Sequence, residues 1–150
     1  MSVRMWILVA LLAGSTAAVA MAQSDKQYVP QLADIMNAAQ VRHQKLYLAG
    51  KARNWELAEF EVRQLAGNLR DAAVFYSGIP IDNVVTLAGG VNAVDDAINA
   101  RDSQRFAKAF GELTAGCNQC HQSMGRAFIV MKQPSDQPFG DQQFSPKAEH

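Results

Sequence analysis

Cysteine is nearly absent from this chain, with two among 150 residues. A zinc site of paired knuckles needs a second Cys pair, and there is none. A structural disulfide between the two would close a two-residue loop and remove little entropy from the unfolded chain. Net charge is missing as well. Lys and Arg number 14 and so do Asp and Glu, so no overall field draws nucleic acid. The longest apolar run is short for a membrane span, and a mean hydropathy of −0.11 argues against stable membrane insertion. Strand-like alternation is lacking, and so is any solenoid-type repeat. What remains fits one helical domain with 49% hydrophobic content.

Both cysteines lie in one stretch, Cys117-Asn118-Gln119-Cys120-His121. This is C-x-x-C-H, the spacing for covalent attachment of a c-type haem. Two thiols add across two vinyl groups of one porphyrin, and the adjacent imidazole gives the iron its proximal ligand. A thioredoxin-like C-x-x-C wants a β-α-β setting, which the helical patterning denies. The expected cofactor is one haem c.

The beginning of the chain matches this chemistry. Arg4 precedes an apolar run at 5–13, small residues follow, and Ala20-Met21-Ala22 offers an A-x-A cleavage site before Gln23. This predicts a secretory signal peptide at 1–22, removed on export to the periplasm. A c-type haem is attached outside the bacterial cytoplasm, so leader and motif agree. The mature domain is then 23–150.

Four amphipathic segments are predicted. The first, about 30–49, carries the stripe Leu32, Ile35, Met36, Ala39, His43, Leu46 and Tyr47, with Gly50 as its stop. The second starts at Asn54 as N-cap and carries Trp55, Ala58, Val62, Leu65, Leu69, Ala72 and Tyr76, with exposed Arg and Glu between. The third starts from a cap at Asp82 or Asn83. Its Gly89-Gly90 marks either a close contact or a kink. The fourth, about 103–128, puts Phe106, Phe110, Leu113, Cys117, His121, Met124 and Phe128 on one face. The proline-bearing tail 132–150 reads as irregular, with Phe139 and Phe144 either covering the haem edge or docking on the bundle. Short links make sequential helices antiparallel, so the fold class is an all-α up-down-up-down four-helix bundle.

The sixth iron position has two candidates on the first helix. Met36 and His43 are seven residues apart, about 10.5 Å along the axis, so both cannot serve one iron. If Val29 and Phe128 share a level, Met36 is level with His121 and His43 lies two turns below. Core filling is the alternative for Met36. For His43 the alternatives are a polar contact or a propionate hydrogen bond. Met124, Met131 and His150 are weaker candidates.

A C-x-x-C-H near the end of the last helix of such a bundle resembles the cytochrome c′ family and its low-spin cytochrome c-556-type relatives. The segments Ile35-Met36, Gln40-Val41-Arg42-His43-Gln44-Lys45-Leu46, Ala49-Gly50, Asn54-Trp55-Glu56-Leu57-Ala58, Pro138-Phe139 and Gln143-Phe144 carry the same resemblance. It implies a periplasmic monohaem protein with Cys117 and Cys120 as attachment points and His121 as proximal ligand. In low-spin relatives a first-helix methionine is the distal ligand, a position Met36 fits. Many high-spin members have a basic residue four positions after the ligand histidine. Here Gly125 stands there and Arg126 comes next, which weighs towards the low-spin reading. Members often dimerise through the first two helices.

The leading function is therefore an electron carrier, not an enzyme, working with redox partner proteins. The alternative is a high-spin haem protein that binds nitric oxide or carbon monoxide. A peroxidase lacks a clearly placed distal pair, since Arg42 and His43 are helix neighbours that do not face the same way. Arg42, Lys45, Lys51 and Arg53 form a modest basic patch, either a docking site or a solvated face.

Overall fold

The computed structural model describes residues 28–147. The expected leader and its cleavage site, and the ligand candidate His150, lie outside the described residues. Four helices and no strand occur among them: α1 (Leu32–Lys51), α2 (Trp55–Phe75), α3 (Ile81–Asn99) and α4 (Ser103–Ser123). They form a four-helix bundle in which α1 lies along α2 and α3 along α4, while α1 and α4 approach less closely. No helix among the described residues is long and apolar enough to cross a membrane.

The two helix pairs are joined by the same turn. The Asn54 N–H reaches back to the Ala49 carbonyl at 2.9 Å, and the Arg53 N–H to the Gly50 carbonyl at 3.0 Å. In the second pair the Asp102 N–H reaches Ala97 at 3.1 Å and the Arg101 N–H reaches Ile98 at 2.9 Å. This 6→1 and 5→2 pairing is the Schellman ending, which puts one residue in the left-handed region. Here that residue is Arg53, φ 58°, and Arg101, φ 51°. The next residue starts the following helix. The Asn54 side chain accepts from the Leu57 N–H at 3.2 Å, and Asp102 accepts from Gln104 and Arg105.

Three boundaries differ from the pattern-based expectation. Helix α1 continues through Gly50 to Lys51. Gly50 serves packing instead: a Cβ there would collide with the Phe106 ring. Helix α3 starts at Ile81 behind an extended Pro80 and uses neither Asp82 nor Asn83 as a cap. The Asn83 amide instead donates to Ser123 Oγ at 2.8 Å. Helix α4 stops at Ser123, so Phe128 leaves the helical face and is 78% exposed. Of the Gly89-Gly90 pair, Gly90 lies against Leu113 of α4, a close helix contact, and α3 runs unbroken through both.

The core is built from Leu46, Ala49, Val62, Leu65, Val94, Ile98, Phe106, Phe110 and Leu113. Phe110 is its hub, with ring centroids of His43, Tyr47 and Phe106 at 4.5, 5.0 and 5.9 Å. Glu61 was expected among exposed charges, yet it is 1% exposed. It falls on the Ala58–Leu65 face and accepts from Arg42 of α1 at 3.2 Å, which compensates its burial.

Beyond Ser123 no helix or strand follows through residue 147. Phe144 is buried in the core, Phe139 packs beside it at 6.1 Å, and Lys45 Nζ lies 4.8 Å from the Phe139 ring. The Asn54 amide donates to the Ser145 carbonyl at 3.4 Å. This segment therefore docks beside the α1–α2 turn.

Candidate haem-attachment site

The motif occupies the last turns of α4, at the end of the bundle where α1 begins. Tyr76 Oη donates to the Pro30 carbonyl at 2.7 Å there, and Asn83 meets Ser123. Cys117 and Cys120 are one helical turn apart, half-buried, and free thiols. Burial, then the neighbouring Cys120, pushes the Cys117 thiol up to about 11. Burial also raises Cys120, with the Asn83 side chain acting against it. Both are thus neutral thiols at pH 7.

His121 is half-buried, and its Nδ1 lies 2.9 Å from the Ile129 carbonyl. A carbonyl oxygen only accepts, so Nδ1 carries a proton, and in the neutral imidazole Nε2 keeps its lone pair. The acceptor arrives by a sharp reversal at the helix end. The Arg126 N–H donates to His121 O at 2.7 Å and the Gly125 N–H to Gln122 O at 3.1 Å. Gly125 adopts φ 68°, where a glycine needs no strain. The segment then returns past α4, where the Asn118 amide takes both backbone groups of Met131, at 2.9 and 2.7 Å.

One contact shows the register of α1 against α4. His43 Nε2 lies 2.9 Å from Thr114 Oγ1. Counting seven residues towards the motif from each partner leads to Met36 and His121, two helical turns along antiparallel axes. The expected level match relied on a helix reaching 128. The register from the side-chain contact is the same although the helix is shorter. Met36 is half-buried, on the same face of α1 as His43. His43 is 3% exposed, and burial lowers its pKa to about 4.

Ten large apolar side chains are exposed among the described residues, and eight belong to the motif's end of the bundle. Ile81 and Val85 lie on the first turns of α3, and Phe128, Ile129 and Val130 on the returning segment. The basic patch is largely engaged within the chain. Arg42 pairs with Glu61 and lies 6.0 Å from the Phe60 ring, Lys45 covers Phe139, and Lys51 Nζ lies 6.0 Å from the Tyr47 ring.

Among the described residues no group of three or more His, Cys, Asp or Glu is placed to hold a metal ion. A haem iron needs no such group, since the porphyrin supplies its equatorial ligands. The donor set present, two free thiols beside an imidazole whose Nδ1 is engaged by a carbonyl, fits covalent haem. Sequence patterning did not point to Asn118, Ile129, Thr114 or Glu61. The middle positions of C-x-x-C-H are unrestricted and a backbone carbonyl has no side-chain signature, whereas Glu61 was detectable from its place on the apolar face. Comparison with protein-family models, with curated proteins and with solved structures found no match to this chain.

Proposed function

We propose that the chain is an exported, periplasmic c-type cytochrome that carries one covalent haem and moves electrons between redox proteins without transforming a substrate. The observation that carries this is the contact of the C-x-x-C-H histidine, His121, with the Ile129 carbonyl. It leaves Nε2 as a donor beside two free thiols. Cys117 and Cys120 would hold the porphyrin as thioethers, and His121 would bind the iron. When bound, haem supplies a one-electron ferric–ferrous couple. The carbonyl behind His121 raises the basicity of the imidazole, as partners of metal-bound histidines do.

Met36 is the proposed distal ligand, supported by its level with His121. His43 is the poorer one: it lies two turns away and its ring is occupied with Thr114. The apolar end of the bundle would give the ring a dry setting, which bears on its potential.

Absorption spectra of the purified protein, oxidised and reduced, with and without carbon monoxide, test the reading. A low-spin spectrum that ignores the gas is the expected result, and Met36→Ala should then bind it. A wild-type spectrum that is high-spin and shifts with the gas would refute Met36 and make gas binding the function. Cys117→Ala with Cys120→Ala should abolish haem staining on a denaturing gel. Staining that persists in the double variant would refute attachment at the motif.

A further inference from the structure

We propose that Asn118, inside the C-x-x-C-H stretch, is a positioning residue that holds the hydrogen-bond acceptor behind His121. The inference rests on the haem reading above and deepens it. The Ile129 carbonyl belongs to a segment that apolar packing does not anchor: Ile129 is 43% and Val130 73% exposed. Hydrogen bonds anchor it instead. On its near side the Ile129 N–H donates to Arg126 O at 2.8 Å, and the Arg126 N–H donates to His121 O at 2.7 Å. On its far side stands the Asn118 amide. Oδ1 accepts from the Met131 N–H at 2.7 Å, and Nδ2 donates to the Met131 carbonyl at 2.9 Å. Both ends of the amide are matched, so its orientation is set.

The loop from His121 to Met131 is thus closed on one turn of α4. Asn118 and His121 are neighbours three apart on that turn, and each takes backbone groups of the same segment. Removing the amide frees the far side of the segment and lets water replace the carbonyl at Nδ1. The imidazole then loses a fixed acceptor and becomes a weaker electron donor. The ferric state loses more than the ferrous one, so the midpoint potential rises.

The test compares wild type, Asn118→Ala and Asn118→Asp. The aspartate keeps an acceptor for the Met131 N–H and loses the donor, so its effect should be intermediate. Haem staining on a denaturing gel is scored first. In the haem-loaded proteins, proton magnetic resonance follows solvent exchange of the His121 ring N–H. Asn118→Ala should speed it about tenfold, the weight of one hydrogen bond. The midpoint potential should move upward in the same variant. A role in stability alone would lower the melting temperature and leave exchange and potential unchanged, and that outcome overturns the proposal. Absence of staining in wild type would instead overturn the haem reading. In that case, or if a variant takes up no haem, ring nitrogen–proton correlations of His121 on the full chains decide. An Nδ1–H tautomer in wild type that gives way to Nε2–H in Asn118→Ala supports the role of Asn118, and an unchanged tautomer refutes it.

Discussion

A hydroxyl has one proton to give, and Thr114 gives its own to the Phe110 carbonyl at 2.8 Å. The contact with His43 must therefore run from the imidazole to the hydroxyl, with the proton on Nε2. This satisfies a polar ring in the core without a charge, and burial makes the charged form unfavourable, hence a pKa near 4. Above the ordinary histidine value of 6.5 the ring is neutral in both folded and unfolded chains. Between 6.5 and 4 the unfolded chain takes up the proton and the folded chain does not, so stability falls as pH falls through this window. The expected loss from this residue is on the order of 3 kcal/mol. Urea unfolding at pH 7 and pH 4 should show that loss in wild type and its absence in His43→Gln. Equal pH dependence in both would remove His43 as the cause. The sequence placed His43 on the inward stripe, but its partner lies 71 positions away and no local pattern names it.

Helix starts and stops show how far local signals reach. Asn54 was legible as an N-cap because its side chain bonds within its own first turn. Glycine as a stop signal misled at Gly50, where a neighbouring ring needs the space, and went unread at Gly125, where α4 does end. At the two hairpin turns the left-handed position holds arginine, which strains against its own Cβ. Arg53→Gly and Arg101→Gly should each stabilise the fold by about 0.5–1 kcal/mol, read as a higher urea midpoint with unchanged slope. A lower midpoint in both would mean that the side chains contribute more than the strain costs.

Across the whole molecule, the two ends of the bundle differ. One carries the motif, exposed apolar side chains and the return segment that meets His121. At the other the chain docks by Phe144 and Phe139 beside the α1–α2 turn. Of the two roles open to these rings, Phe144 has the docking one, since it sits in the core. Phe144→Ala should cost roughly 3 kcal/mol in urea unfolding and, on the proposed haem reading, leave haem staining in place. Loss of staining with unchanged stability would reverse that assignment.

The sequence by itself determined what depends on neighbours along the chain. The spacing of apolar residues made four helices, Asn54 capped one of them, and Cys117, Cys120 and His121 were brought to one side of a helix because residues three and four apart lie about one turn apart. Only the tertiary structure decided which distant groups meet: Glu61 with Arg42, His43 with Thr114, Gly50 with Phe106, and the Ile129 carbonyl with His121. Each of these depends on the register between elements or on where a backbone turns. That register is set by the sum of many packing contacts, none of which is written in any one stretch of the chain.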